Sequence, residues 1–490
     1  MRKLVYLVFF LVFVCILSLS GCETDDTHPT TIPTIIPTTV APTETQPTEP
    51  APTAPAHVHA MTSNWESDEN THMNFCECGE VMISGAHTFG EWGTTMHGSC
   101  TRDGERARRC STCNYRVIEV IPAPGHTIVA TKGAAATCTK IGAVGGKHCE
   151  KCATVVEVQK KVFPQGHCYE NDVCTVCGEK RGKDGMVFTL NADGASYTVS
   201  GDASFKGDTL VIPGTYNGLP VTQIADKGFQ YMKSFKTLVI ADGIKKVGWA
   251  AFSGCSNVEL IAIAPSVERT SDETFEYCGG ANKRLSIYIS SLEQWLSAGV
   301  GHAACGAARY NLYIDSVLAK DVVLPSTITE LCGAAFRRCD SIRSVTVPEN
   351  VTVIGSYAFG DCANLRIVNL SEGLKEIDTF AFCSCTALQH LVLPSTVKTL
   401  GKKAFDSCEN MRFIVIPRSV EKIADMAFVL CKNLTIYCEA ESKPSGWGKY
   451  WNNWGGGRPT FWGGEWQYVD GVPTPINHKS LPMVAKIPRL

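Results

Sequence analysis

Phenylalanine recurs along this chain with a fixed period of 23 residues. The period runs through two stretches, and the gap of 61 residues between them equals one period plus an insertion of 38. The eight positions are Phe229, Phe252, Phe275, Phe336, Phe359, Phe382, Phe405 and Phe428. A repeat of this length buries too little surface to fold alone, so neighbouring copies must stack and share one core. The period therefore predicts a solenoid.

Each repeat also carries a short strand pattern and a cysteine. Alternations such as Val368-x-Leu370 indicate a strand with one buried face, and a proline such as Pro348 or Pro394 ends the ladder because it cannot donate a hydrogen bond. Cysteine follows the phenylalanine by three residues in all repeats but the first, where Met232 stands: Cys255, Cys278, Cys339, Cys362, Cys385, Cys408 and Cys431. A thiol repeated at this period is best explained as a small buried side chain.

The stretch Ile354-Gly-Ser-Tyr-Ala-Phe359-Gly-Asp-Cys362-Ala-Asn-Leu365 resembles the BspA-like, treponemal-type leucine-rich repeats of bacterial surface proteins, and the resemblance runs from about Tyr197 to Trp462. It implies a mainly β and irregular solenoid of short strands, and a role in adhesion. The expected parts are an N-terminal cap (183–228), repeats (229–440) with an insertion around 284–321, a Trp-rich C-terminal cap (441–467) and a loose tail (468–490).

The first residues predict export. Met1-Arg2-Lys3 is basic and an apolar run follows to Leu19, which is typical of a signal peptide over 1–21 and is short for a membrane span. Leu19-Ser-Gly-Cys22 resembles the lipobox of bacterial lipoproteins. The resemblance implies that Cys22 carries lipid and anchors the protein to the outer face of a bacterial membrane; without lipid the protein would be secreted.

Residues 22–56 predict an extended spacer. From Glu23 to Ala56 the chain has 11 Thr and 8 Pro but no Lys, Arg or aromatic residue, so it cannot build a core. Such a segment would hold the following domains away from the membrane.

Cysteine and histidine are enriched together in residues 57–182, which hold 11 of the 24 Cys and 8 of the 12 His. This co-enrichment indicates metal sites. The sequence suggests three sets of four ligands and a partial fourth set, which has Cys168 or a shared His167 nearby. They are His72, Cys76, Cys78 and His87; Cys100, Cys110, Cys113 and His126; Cys138, Cys149, Cys152 and His167; and Cys174 with Cys177.

Four sulfur and nitrogen ligands with no open position are typical of structural zinc. The modules resemble the zinc-ribbon-like repeats of surface proteins from anaerobic Gram-positive bacteria. Disulfides remain an alternative because the protein is exported, although 11 Cys leave one unpaired.

The outward positions of the repeat strands are unusually apolar and predict a ligand-binding face. We assign to this face Ile367, Asn369, His390, Val392, Phe413 and Val415, and we expect ligand contacts above all at His390 and Phe413. Arg343, Arg366 and Arg412 recur beside them and suggest an acidic partner. The alternative is that β-branched residues simply suit strands.

Function is expected to be non-enzymatic binding of a protein or glycan. No nucleophile elbow, phosphate loop or recurring carboxylate pair appears, and 45 basic against 48 acidic residues argue against nucleic-acid binding. Two alternatives are an architectural envelope protein without a host ligand and a carbohydrate-binding module. The second would use Trp447, Trp451, Trp454, Trp462 and Trp466, which are otherwise expected to cap the solenoid.

Overall fold

The computed structural model describes residues 58–182, 184–202, 204–280, 284–452 and 457–476. The predicted signal peptide, Cys22, the spacer and most of the predicted tail lie outside these residues. Within them, none of the helices has the length and apolar character needed to cross a membrane. The described residues form two compact units, of which the first comprises residues 58–91 together with Arg109–Arg116.

The first unit is built on one three-stranded antiparallel sheet. Its strands lie side by side in chain order: Met61–Ser67, Thr71–Cys76 and Val81–Ala86. In the described part of this unit the buried side chains are His72, Asn74, Cys76 and Cys110. Three of these four are candidate metal ligands, so the unit has almost no apolar core.

The second unit begins with small Cys/His modules made of very short sheets. One sheet contains Gly93–Met96, Gly104–Arg109 and Arg116–Ile121. The others contain Ile128–Thr131, Gly146–Cys149 and Val155–Glu157; Gly142–Ala143 and Lys161–Val162; and Tyr169–Glu170 and Val173–Cys174.

The rest of the second unit is a solenoid, as the Phe period predicts. Its longer strands, here called the front strands, stack in three successive, largely parallel sheets. They are Thr209–Ile212, Thr237–Ile240, Leu260–Ile263, Leu285–Ile289, Tyr310–Ile314 and Val317–Leu318; Asp321–Val323, Ser344–Val347 and Ile367–Leu370; and His390–Val392, Phe413–Ile416, Thr435–Cys438 and Thr460–Phe461. Most are paired one repeat apart, as in Val345 with Val368.

A second row of mostly two-residue strands closes each coil. It starts from Met186–Leu190, Tyr197–Gly201 and Leu219–Ile224, with Thr215–Tyr216 paired to the last of these. It continues through Lys246–Val247 and Arg269–Thr270, and then through Glu330–Leu331, Val353–Ile354, Glu376–Ile377, Thr399–Leu400 and Lys422–Ile423.

The periodic phenylalanines form stacked columns in the interior. All eight are at most 1% exposed. Neighbouring rings such as Phe359 and Phe382 lie 5.3 Å apart with planes 10° from parallel, and Phe382 and Phe405 lie 5.5 Å apart at 1°. One continuous apolar cluster runs from the first coil to Trp451. Periodic burial is therefore what holds the solenoid together.

The insertion carries two helices, Leu292–Ser297 and Val300–Ala303. The first begins at Ser291, whose side chain accepts a hydrogen bond from the backbone N–H of Gln294. Its Trp295 is fully buried, lies 6.2 Å from Phe336 with the rings stacked, and donates its indole N–H to the carbonyl of Ala335. Trp295 thus packs against the start of the second phenylalanine column.

Tryptophans close the last coil. Trp451 packs edge-on against Phe428 at 6.1 Å, and Trp447 donates its indole N–H to the carbonyl of Val420. A hairpin of Trp466–Val469 and Val472–Pro475 follows. The sequence predicts a loose tail from residue 468, whereas the structure forms a hairpin there. The sequence did not indicate a strand because two prolines lie in the second strand of the hairpin.

Candidate metal centres and candidate binding face

Cysteine and histidine side chains converge on four points in the described chain. In each group the ligand atoms lie within 4.8 Å of one another. The groups are His72, His87, Cys110 and Cys113; Cys100, His126, Cys149 and Cys152; Cys138, His167, Cys174 and Cys177; and His59, Cys76 and Cys78. All four groups could hold a metal ion.

The structure groups the predicted ligands differently from the sequence interpretation. Each Cys-x-x-Cys pair shares its group with a histidine and one further ligand from the preceding copy of the module. Cys149 and Cys152, for example, lie with Cys100 and His126. His72 and His87 lie with Cys110 and Cys113 instead of Cys76 and Cys78, and Cys168 belongs to no group. Equal spacings of 26 residues, from His87 to Cys113 and from His126 to Cys152, carried this signal in the sequence.

The separations between ligand atoms fit a shared tetrahedral ion. The sulfur atoms of Cys138 and Cys174 lie 3.9 Å apart, and His126 Nδ1 lies 3.4 Å from the sulfur of Cys152. Ligands about 2.3 Å (sulfur) and about 2.0 Å (nitrogen) from a tetrahedral zinc would lie roughly 3.5–3.8 Å from each other. A disulfide needs about 2.05 Å, and every described cysteine has a free thiol.

Electrostatics within the groups also favour a cation. Backbone N–H groups of Cys152 and Lys151, with His126, lower the pKa of Cys149 to about 5, although burial opposes this. Burial and the neighbouring thiols of Cys149 and Cys152 raise the pKa of Cys100 to about 11. Two thiolates cannot ionise side by side without a compensating positive charge, which a bound metal ion would supply.

A hydrogen bond from the other ring nitrogen orients the histidine ligand His87. His87 Nε2 lies 2.9 Å from the carbonyl oxygen of Asp68 and donates to it, so Nδ1 presents its lone pair to Cys113 at 3.4 Å. A metal-binding histidine commonly has its other nitrogen fixed in this way.

The predicted binding face is open only in its middle. Asn369 and Val392 are exposed, and Ile367 and His390 are half-buried. Phe413 and Val415 are only 5% and 1% exposed. They pack with Tyr437 and Phe461 beneath the C-terminal hairpin, against Trp466 and Val472. The expectation that Phe413 and Val415 contact a ligand is therefore wrong, because the hairpin already covers them.

The first front strands are covered as well, by a segment of the third Cys/His module. Phe163 packs edge-on against Tyr288 at 5.3 Å. The backbone N–H of Lys161 donates to the hydroxyl of Ser316 at 3.0 Å, and Lys160 pairs with Asp315. The open face is thus bounded at both ends by the chain itself.

A polar groove lies where the chain enters the front strands Ile367–Leu370, His390–Val392 and Phe413–Ile416. It has a volume of about 400 Å³ and is lined by Arg366, Ala387, Gln389, Asn410, Arg412 and Asn433. Arg366 and Arg412 are exposed. Neither has a carboxylate partner among the described residues, whereas Arg337 pairs with Asp361 at 3.5 Å. Positive charge on this groove is therefore uncompensated.

The column cysteines have a structural role. Six of the seven donate their S–H to the carbonyl of a phenylalanine one coil earlier, as Cys385 does to Phe359 at 3.2 Å. Burial raises the pKa of the Cys385 thiol well above its ordinary value. These thiols therefore satisfy buried carbonyls and are not nucleophiles.

Comparison with known proteins agrees with this architecture. The family described as BspA type leucine rich repeat region matches residues 219–296 and 309–435, in six copies. Among curated proteins, no relative matches the chain.

Solved structures that are similar to this chain include the following three. A leucine rich cell surface protein from Faecalibacterium prausnitzii is 18% identical, with 54% of this chain and 95% of that chain covered and a TM-score of 0.28. The leucine rich repeat protein of T. pallidum is 19% identical (53% and 81% covered, TM-score 0.17). The pneumococcal vaccine antigen PcpA is 14% identical (78% and 89% covered, TM-score 0.36). On the family match, the period and the stacked coils, residues 219–296 and 309–435 are BspA-type leucine-rich repeats.

Proposed function

We propose that this chain is a non-enzymatic bacterial cell-surface protein whose solenoid binds an acidic protein or glycan through the open part of its front strands. The observation that carries the proposal is the groove of Arg366 and Arg412, whose charges have no partner in the described chain, beside the exposed Asn369 and Val392. Arginine is enriched at protein interfaces, and here two unpaired arginines lie near the exposed side chain of Val392.

The similar cell-surface protein of Faecalibacterium prausnitzii is consistent with the proposed location. We further propose that lipid on Cys22 anchors the protein and that residues 23–56 act as the spacer. Metabolic labelling with palmitate tests the anchor: the natural protein would take up label and stay with the membrane fraction, and Cys22→Ala would be released unlabelled.

Zinc in the three four-ligand centres is proposed as a structural metal. The support is the donor set of thiolates and imidazoles at tetrahedral separations. Bound zinc would fix the small modules, in which many of the buried side chains are cysteines, and these modules would in turn hold the solenoid away from the membrane.

The carbohydrate-binding alternative loses two of its five tryptophans, because Trp447 and Trp451 are only 3% and 6% exposed. Buried indoles cannot stack on a sugar. Trp462 and Trp466 are half-buried, and Trp454 lies outside the described residues. The architectural alternative differs from the proposal in having no soluble partner, so a binding experiment separates the two.

Binding is tested with the full chain against mucins, sulfated glycans and acidic matrix proteins. We expect Arg366→Glu with Arg412→Glu to weaken binding by about tenfold or more, because like charges would face each other. Lys375→Glu is the matched control, since Lys375 is exposed and lies outside the groove. Equal binding by all three proteins, or none by the natural chain, would contradict the proposal.

A further inference from the structure

A fourth cluster of donors lies in the first unit and combines Cys76 and Cys78 with His59, which the sequence interpretation did not include among the ligands. His59 Nδ1 lies 3.5 Å from the sulfur of Cys78, and these two atoms and the sulfur of Cys76 are all within 4.8 Å of one another. The other three groups have four donors each, so this cluster is the only three-donor group found among the described residues.

The loop that carries Cys76 and Cys78 has the same geometry as the loop of a four-donor group. Cys76-Glu-Cys78-Gly79-Glu80 corresponds to Cys174-Thr-Val-Cys177-Gly178-Glu179 with one residue fewer. In both loops the glycine has a positive φ, of 89° and 75°, and its N–H donates to the carbonyl of the first cysteine at 2.8 and 2.9 Å. The backbone N–H of that cysteine donates to the glutamate carbonyl at 2.8 Å in both.

The glutamate that ends each loop also contacts the histidine of its group. His59 Nε2 lies 3.1 Å from the Glu80 carboxylate, and His167 Nε2 lies 3.7 Å from that of Glu179. A carboxylate accepts, so Nε2 of His59 holds the proton and Nδ1 turns its lone pair toward the thiols. This is the arrangement by which a carboxylate orients a metal-binding histidine.

Backbone N–H groups surround the sulfur of Cys76. The N–H groups of Cys78 and Ala60 both point at its sulfur, as those of Cys152 and Lys151 point at the sulfur of Cys149 in a four-donor group. The cluster thus shares its loop, its oriented histidine and its N–H donors with the complete centres. It differs in having one donor fewer among the described residues.

We propose that His59, Cys76 and Cys78 form a fourth metal centre, which binds zinc through three protein ligands and leaves one coordination position to solvent or to an exogenous ligand. Sites with an open position exchange ligands, whereas closed four-ligand sites are structural. Zinc at this centre therefore exchanges with the surroundings, and zinc in the other three does not. The inference uses the proposed zinc chemistry of those centres only in its choice of metal.

The test is zinc content and zinc release, measured on the purified full chain loaded with zinc and then mixed with a chromophoric chelator. We expect four zinc ions per chain, one released in a fast phase and three in a slow phase. Cys78→Ser should bind three and lose only the fast phase. Cys168→Ser is the control, since Cys168 belongs to none of the four groups, and it should keep all four.

A second variant, Glu80→Gln, keeps all three ligands. It tests whether the loss of fast zinc in Cys78→Ser is due to misfolding of the loop and not to the loss of a ligand. It should keep the fast zinc but weaken its affinity by about 10- to 100-fold, with the slow phase unchanged. Three slow zinc ions in the natural chain and no fast phase would overturn the fourth centre while leaving the structural zinc in place. Absence of zinc from all four would overturn both proposals.

Discussion

The sulfur atoms of Cys100 and Cys149 lie 3.7 Å apart, although 49 residues separate them in the chain. This distance is too long for a disulfide and matches two ligands of one metal ion. It also joins two copies of the module, because Cys149 belongs to the copy that follows Cys100. Metal bonds at this centre would therefore hold neighbouring modules in register.

Removal of one ligand should unfold one module and leave the solenoid intact. We expect Cys149→Ser to lose one zinc ion and to become sensitive to protease between residues 117 and 166, because structural zinc contributes on the order of 10 kcal/mol to folding of such small domains. Zinc content and limited proteolysis measure this. Cys332→Ser, which changes a cysteine outside all four groups, should lose neither zinc nor resistance; a full complement of zinc in Cys149→Ser would contradict the assignment.

Thiol reactivity should divide the cysteines into three classes. In the zinc-loaded chain at pH 8 we expect iodoacetamide to modify Cys332, which is exposed. The metal ligands should react only after a chelator is added. The buried thiol of Cys385 should react only on unfolding, because burial holds its pKa well above the ordinary value and excludes the reagent. Peptide mass spectrometry reports each class, and modification of Cys385 in the native chain would contradict its structural role.

Two neighbouring phenylalanines test the interior column. Phe382 is fully buried between Phe359 and Phe405, so Phe382→Ala should lower the free energy of unfolding by about 3–5 kcal/mol. Phe380 is half-buried and stacks on Tyr357 at the surface. Phe380→Ala should change it by about 0.5 kcal/mol. Urea unfolding measures both, and similar losses in the two variants would contradict the interior assignment.

The solenoid could be predicted from the sequence because its cause is local and repeated. The Phe, the Cys and the strand alternation of each repeat are buried in the same way in every coil. An error in the assigned register would therefore have conflicted with the sequence of all eight repeats. The buried thiols followed from the same argument, since a residue such as Cys385 faces the carbonyl of Phe359 only if coils are 23 residues long.

The binding face and the metal groups could be predicted only in part, because long-range packing decides them. Phe413 occupies an outward strand position, and only the folded hairpin around Trp466 buries it. Likewise, the sequence places Cys110 in a set of four residues that can all bind metal. In the structure, however, Cys110 and Cys113 lie with two histidines from earlier in the chain. Spacing indicates which side chains bind metal but does not say which copies share an ion.

Left-handed backbone positions recur in each coil at non-glycine residues. Ser384 has φ 55° and Ser407 has φ 60°, whereas Gly254 takes the equivalent position with φ 77°. Because a side chain in this region is strained, Ser384→Gly should raise the free energy of unfolding by up to about 1 kcal/mol. Ser371, which is not among the positive-φ residues, is the control: Ser371→Gly should lower it by about 0.5–1 kcal/mol. Urea unfolding checks the opposite signs.

His390 couples the open face to pH. Burial disfavours its charged ring and Arg412 repels a positive charge, so the pKa of His390 lies below its ordinary value. In the unfolded chain its pKa is about 6.5. The neutral ring therefore contributes stability above that pH, and the contribution is lost as the pH falls through the lowered pKa of the folded state.

The affinity for an acidic partner bound beside Arg412 should change with pH in the opposite direction from the stability. Its negative charge offsets the repulsion and raises the pKa of His390, so binding takes up a proton and the affinity should increase severalfold as the pH falls from 8 to 5.5. Titration calorimetry in buffers of different ionisation enthalpy measures both the affinity and the proton uptake. His390→Asn keeps the ring position polar but cannot titrate, so its affinity should not change with pH. The same pH dependence in both proteins would place the partner away from His390.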